Sequence, residues 1–339
     1  MPSFTLPDHV DTDTDTLRAV AARHGLDADS IKRLPETGIA NAIYRIGDDA
    51  ILRVPRNHPN FIADARTEVI AVPAARAAGV RTPALLAFDD SLDLLPVPYT
   101  IYERVPGVPL ESLGLGPDEA AEVWSEVGRQ LGRLHAGVAA PEALAGVRRR
   151  HVGPDLRALV HARIDEGWLS PLDGRWLSCW LERLEPAARE PAPARFLHGD
   201  SQATNLMVLS DPLRFEAVID WGSAAVGDVA LDFAGVPLRA VPHMLAGHRD
   251  IAVPDSNDTI EARIVWRHLY LALLFLPRGA VPGRSWAERP LPMLLEVLRF
   301  FMDPPNDRWR AVGPVEPARV TSSMRLVGFG GGDHAEADA

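Results

Sequence analysis

Two aspartates and an asparagine define the chemistry open to this chain. Asp200 and Asn205 lie in the run His198-Gly199-Asp200-Ser201-Gln202-Ala203-Thr204-Asn205, and Asp220 follows in Ile219-Asp220-Trp221. A carboxylate can take a proton from a hydroxyl, and carboxylate and amide oxygens are the hard ligands that magnesium prefers. Transfer of a γ-phosphoryl group needs little more than a positioned base, oxygen ligands for a metal and neutralised phosphate charge. Taken singly, the same residues have plainer readings: HGD as a polar turn, Asn205 as a cap, Asp220 as a strand-end acid.

Their joint spacing favours chemistry. The interval of five between Asp200 and Asn205 is the one that separates the catalytic-loop Asp and Asn of protein kinases, and Asp220 stands where a second metal-binding Asp is wanted. A P-loop is excluded, because no Gly-Lys pair exists. Lys32 is the only lysine, so a cation that grips phosphate is expected to be an arginine.

The elements around these residues fall into two parts. Residues 13–24, DTDTLRAVAARH, have helical apolar spacing behind acidic and hydroxyl residues. A three-segment antiparallel meander is expected to follow, punctuated by Pro35, Gly38 and Gly47-Asp48-Asp49. A helix is predicted from Ala63 to Ala78, with Pro73 as a kink or restart and Gly79 as its stop, then two more strands in TPALLAFDD and PYTIYERVPG. From Pro117 the pattern turns helical, with further helices around 155–166 and 172–188. Strands at Asn205 to Leu209 and Glu216 to Asp220 flank the chemistry, and TIEARIVWRHLYLALLFL and LPMLLEVLRFFM return to helix. The Gly- and Asp-rich end is expected to be disordered.

The bulk composition narrows the partners. A net charge of −11 argues against a nucleic-acid binder, which needs a dense basic surface. The most apolar run, around Leu269 to Leu276, falls well short of a bilayer span. The acidic, proline-bearing start lacks the basic and apolar regions of a signal peptide, so a cytoplasmic, membrane-free protein is expected. A single cysteine, Cys179, excludes an internal disulfide framework and is expected to be a reduced, partly buried thiol.

The sequence resembles the aminoglycoside phosphotransferase family, whose members carry an HGDxxxxN loop and a downstream IDW…GDxxxDLA segment. Here these read HGDSQATN and IDWGSAAVGDVALDFA, and the likeness extends through GIANAIYRIG, AILRVPR, TEVIAVPAARAAGVRTPALL, YTIYERVPGVPL and VGRQLGRLHAG. The resemblance implies an α+β, protein-kinase-like two-lobed fold with a small antiparallel-sheet N-lobe at 1–104, a larger, mainly helical C-lobe at 105–327 and a tail at 328–339. It implies Asp200 as base, Asn205 and Asp220 as magnesium ligands, and Gly227, Asp228 and Asp232 as support beneath the site. Arg53 takes the place of the strand lysine on the α- and β-phosphates, with Glu68 as its partner. Gly38 and Asn41 would lie over the phosphates, and the backbone of Glu103, Arg104 and Val105 would meet the base of ATP or GTP. In members of this family the helices after 240 line the acceptor pocket, where Asp255, Asp258 and Glu261 are candidates for a cationic acceptor, Asp258 having a helix cap as its plainer reading. His135, Trp168, Trp266, His268 and Tyr270 are expected in the core or wall. The function implied is phosphorylation of a hydroxyl on a small molecule: first an aminoglycoside or macrolide antibiotic, second a sugar, choline or homoserine type of metabolite, third nucleotide binding without catalysis.

Overall fold

The computed structural model describes residues 6–35, 38–139, 144–150, 155–252, 259–278 and 290–315. Helix α1 (Thr14–Arg23) starts where the Asp13 side chain accepts the Thr16 N–H at 2.6 Å. Strands β1 (Ile31–Arg33), β2 (Asn41–Ile46) and β3 (Ala50–Pro55) form the expected meander. Gly47 turns the chain between β2 and β3 with φ 59°, a left-handed conformation that glycine adopts at no steric cost. With β4 (Leu85–Asp89) and β5 (Tyr99–Glu103) they make one antiparallel five-stranded sheet of order β1-β2-β3-β5-β4. Side chains alternate across a strand, so Leu52 and Val54 enter the core beneath α1 while Arg53 faces the opposite side.

On that opposite side lies α2 (Pro59–Ala77). It begins four residues before the predicted start, because His58 Nδ1 caps the Asn60 N–H at 3.2 Å and Pro59 is at home in a first turn that needs no N–H. Pro73 sits within one continuous helix. Buried α2 residues Ala71, Val72 and Ala75 join the larger hydrophobic core together with Trp124, Leu131, Trp180 and Phe233.

After β6 (Val108–Pro109), α3 spans Ala121–Gly137. The helix starts later than Pro117 because the Glu119 carboxylate folds back onto the Gly116 N–H at 2.7 Å and closes a turn ahead of it. Next come β7 (Arg148–Arg149), α4 (Leu156–Asp165), α5 (Pro171–Arg189), β8 (Arg195–Leu197), β9 (Leu206–Ser210), β10 (Leu213–Val218) and β11 (Ala225–Gly227). Two three-stranded sheets result, β10-β9-β6 and β7-β11-β8. Helices α6 (Val241–Arg249), α7 (Ile260–Phe275), α8 (Pro290–Phe300) and α9 (Asp307–Ala311) complete the larger part. Trp168 departs from expectation: it is 50% exposed, on the turn that leaves α4. His135, Trp266 and His268 are buried as expected, and Cys179 is a free, partly buried thiol.

Helices α3 and α6 approach closely through reciprocal glycines. A Cβ on Gly128 would fall 1.8 Å from the Met244 carbonyl oxygen, and one on Gly247 would fall 1.8 Å from that of Ser125. The turn from α2 to β4 ties the two parts together. Arg81 N–H donates to Gln130 Oε1 at 2.8 Å, Val218 N–H to the Arg81 carbonyl at 2.9 Å, and Trp221 Nε1 to Thr82 Oγ1 at 2.9 Å. Among the described residues no helix is long and apolar enough to cross a membrane.

Candidate active site

Strand β8 delivers the chain into His198-Gly199-Asp200, and its partner β11 returns beside it. Gly199 has φ 82°, and an added Cβ would lie 2.2 Å from the Ser223 carbonyl oxygen, so only glycine fits this turn. The turn is clamped from below by Asp232, whose carboxylate is fully buried. Its Oδ1 accepts the Gly199 N–H at 2.6 Å, and its Oδ2 accepts the His198 N–H at 3.0 Å and faces His135 Nε2 at 2.9 Å. Burial alone would raise its pKa, but the bond from His135 and the backbone donors outweigh burial and hold it below the usual carboxylate range. His135 in turn meets His248 at 2.9 Å, and burial pushes His248 down to about 3, keeping it neutral.

His198 joins the two chemical loops. Its Nδ1 accepts the Asp200 N–H at 3.2 Å, which makes Nε2 the protonated nitrogen that donates to the Ile219 carbonyl at 3.1 Å. Its ring packs edge-on against Trp221 with centroids 4.5 Å apart. A backbone bond from Ile219 N–H to the Asn205 carbonyl at 2.9 Å adds a second tie.

The Asp200 carboxylate is held at both oxygens. Gln202 Nε2 donates to Oδ1 at 2.9 Å, and Asn205 Nδ2 donates to Oδ2 at 3.0 Å and to the Asp200 carbonyl at 2.8 Å. Burial raises the Asp200 pKa, and the charge of Asp220 raises it further, the direction that suits a proton acceptor. Asn205, where the strand was expected to start, closes a short 3-10 turn, and β9 begins one position later at Leu206. Its amide nitrogen is spent on Asp200, so Oδ1 is the end turned away.

Asp220 lies two residues beyond β10 rather than at the strand's end, with φ 67°. Left-handed backbone is uncommon outside glycine, though aspartate tolerates it better than most. Its Oδ1 accepts Arg53 Nη2 at 2.7 Å, while Arg53 Nη1 reaches Glu68 Oε1 at 2.6 Å and the Tyr102 hydroxyl donates to Glu68 Oε2 at 2.5 Å. One guanidinium thus serves two carboxylates, and the more deeply buried one carries the strain. Burial pushes Glu68 up to about 7 against the pull of Arg53, whereas at Asp220 the upward push of burial is overcome by Arg53 and the pKa falls. Arg53 is itself largely buried, which sets aside a surface role.

The remaining sequence candidates are placed less decisively. Gly38 is exposed just ahead of β2, and a Cβ there would meet nothing within 4 Å; Asn41 pairs with Pro55 at the start of β2. Neither hydrogen-bonds Arg53, Asp200 or Asp220. At the hinge, Glu103 N–H is taken by the Ala84 carbonyl at 2.9 Å and Arg104 N–H by that of Asp49 at 2.7 Å. Of the three hinge amides only that of Val105 lacks such a partner among the described residues, which narrows the expectation that all three would serve a nucleotide. Glu261 is buried and paired with Arg249 at 2.7 Å, so it does not face an acceptor. Asp255, Asp258 and the tail at 328–339 lie outside the described residues. A cavity of about 420 Å³ behind the hinge is lined by Arg76, Arg81, Thr82, Glu103, Arg104 and Glu216, and none of Asp200, Asn205 and Asp220 borders it. Sequence reasoning passed over Gln202, His135 and Tyr102 as site residues, since their types and spacing carry no signal apart from the contacts.

Among the described residues no group of three or more His, Cys, Asp or Glu could hold a metal alone. Asp220 and the outward Oδ1 of Asn205 are a sparse, all-oxygen donor set, which fits magnesium that fills its remaining positions with nucleotide phosphates and water.

Residues 31–249 match the phosphotransferase enzyme family, and the chain belongs to it. Among curated proteins, thiamine kinases of Salmonella paratyphi A and Salmonella typhi are 33% identical over 129 residues, covering 33% of this chain and 44% of theirs. The chain thus spans less than half the length of these relatives. Among solved structures, an aminoglycoside 2'-phosphotransferase-IIIa variant in complex with GDP superposes with TM-score 0.61 at 18% identity, over 86% of this chain and 97% of its own. A choline/ethanolamine kinase family protein from Mesorhizobium loti gives 0.58 at 17% identity, over 88% and 96%. A macrolide 2'-phosphotransferase from Brachybacterium faecium gives 0.55 at 22% identity, over 87% and 99%. These likenesses show the two-lobed, kinase-like α+β fold.

Proposed function

We propose that this protein transfers the γ-phosphoryl group of ATP or GTP directly to a hydroxyl of a small molecule. The observation that carries the reading is the convergence of a doubly clamped, pKa-raised Asp200 with the Arg53–Asp220 pair across His198. Asp200 accepts the hydroxyl proton of the acceptor as the oxygen attacks phosphorus in line with the departing nucleotide. Arg53 exchanges Asp220 for the α- and β-phosphates when nucleotide enters, while Glu68, itself bonded by the Tyr102 hydroxyl, holds its other nitrogen in place. Asp220 and Asn205 Oδ1 would hold magnesium, which when bound spreads the charge of the phosphate oxygens.

The acceptor favoured is a small hydroxyl-bearing metabolite of the thiamine or amino-alcohol kind, because the matched curated relatives are thiamine kinases. This reverses the order expected from motif spelling. An aminoglycoside or macrolide acceptor is the second reading, supported by the fold of the solved neighbours. The test is nucleotide consumption with magnesium and either ATP or GTP across thiamine, choline, homoserine, sugars, aminoglycosides and macrolides, with the product identified by mass. Phosphorylation of thiamine or an amino alcohol supports the first reading, phosphorylation of an antibiotic the second, and nucleotide-independent cleavage of phosphomonoesters would overturn both.

A further inference from the structure

Gln202 belongs to neither the base nor the metal set, yet its side-chain amide donates to Asp200 Oδ1 at 2.9 Å. An ionised carboxylate only accepts, so the nitrogen end of the amide must face it. Among the described residues this is the only side-chain hydrogen bond that Gln202 makes. The opposite oxygen is held by Asn205, whose other amide end is assigned above to the metal. Gln202 and Asn205 are themselves fixed to one another, since Asn205 N–H donates to the Gln202 carbonyl at 2.9 Å and closes the turn between them. The terminal torsion of an aspartate is broad, and with Asn205 alone the Asp200 carboxylate could swing about a single contact.

We propose that Gln202 is a positioning residue for the phosphotransferase proposed above: it fixes the plane of the Asp200 carboxylate and directs the free lone pair of Oδ1 at the acceptor hydroxyl. A displacement of about an ångström at a reacting group can cost on the order of 100-fold in rate, so this clamp acts on turnover and leaves nucleotide binding alone. A turn residue facing solvent would leave turnover unchanged as well.

The experiment is a double-mutant cycle on the full chain. Gln202→Leu and Gln202→Glu are each placed in the unmodified protein and in Asp200→Ala, and the readout is ADP release from Mg-ATP with water as acceptor, repeated with whichever hydroxyl acceptor the screen yields. In the unmodified protein, Gln202→Leu is expected to lower kcat about 10- to 100-fold with the KM for Mg-ATP within about two-fold. Gln202→Glu, which sets one carboxylate against another, is expected to lower it at least as far. In the Asp200→Ala background neither change is expected to lower turnover further. Equal losses in both backgrounds, or unchanged kcat in both variants, would overturn the proposal; should Gln202→Leu fail to fold, the near-isosteric Gln202→Glu decides. No turnover in the unmodified protein with either ATP or GTP and any acceptor of the screen would instead refute the phosphotransferase reading, an outcome distinct from any pattern among the variants.

Discussion

Arg53 Nη2 and Asp220 Oδ1 meet at 2.7 Å although 167 positions separate them in the chain. The same guanidinium reaches Glu68 with its other terminal nitrogen, so the pair depends on a planar fork with two donors. Arg53→Lys keeps the charge and loses the fork. Titration calorimetry is expected to show nucleotide affinity weakened about 10-fold in this variant and further in Arg53→Ala. Unchanged affinity in the alanine variant would remove Arg53 from the phosphate site.

Asp200→Ala removes the proposed proton acceptor and leaves Arg53, Glu68 and Asp220 in place. Turnover is expected to fall by roughly 10²- to 10⁴-fold, the usual worth of a positioned base, with nucleotide affinity within about two-fold. Steady-state rates and calorimetry on one preparation separate the two effects.

On the proposed assignment, Asp220→Ala would leave Asn205 Oδ1 as the lone protein ligand for magnesium. Nucleotide affinity measured with the metal is expected to collapse to that measured without it. A metal dependence that survives would deny Asp220 its role.

The sequence made the chemical loops legible because they are short, contiguous and rich in residues that turn the chain: HGD at the end of β8, Asn205 at a turn and Asp220 after a strand. Turn residues such as Pro35, Gly38 and Gly47-Asp48-Asp49 likewise exposed the meander, whose β2 buries every second residue. What it could not reveal were facts of backbone and distance. Asp220 has a left-handed backbone that residue type permits without requiring. Asp232 folds back 34 residues to hold His198, and its pairing with His135 spans 97, so neither leaves a local trace. The start of α2 was missed because apolar spacing says little about a cap formed by a histidine next to a proline.

Glu296 on α8 gives a pH signature away from the site. Its Oε1 accepts the Arg239 N–H at 3.2 Å and its Oε2 is buried without a partner among the described residues, so burial pushes its pKa up from 4.5 to about 7. A carboxyl raised on folding contributes stability that is complete below about pH 4.5 and drains away as pH rises through 7. Glu296→Gln does not titrate. Relative to that variant, the unmodified protein is expected to lose on the order of 2 kcal/mol of unfolding free energy between pH 4.5 and 8, as read from urea curves. Parallel pH profiles would contradict the assignment.

Gly128→Ala tests the α3–α6 contact. The added methyl would collide with the Met244 carbonyl, backbone that cannot swing aside as a side chain would. A loss of about 3 kcal/mol is expected from denaturant unfolding, beyond the roughly 1 kcal/mol typical of point changes.

The guanidinium at position 53 has a practical corollary for chemical proteomics. Nucleotide reagents that acylate an amine beside the phosphates depend on a nucleophilic lysine, and guanidinium stays protonated and inert towards them. The chain's single amine-bearing side chain, Lys32, stands exposed on outer strand β1, two strands from Arg53 on β3. Such reagents would pass over this protein in a cell extract, and its activity would have to be tracked by the product instead.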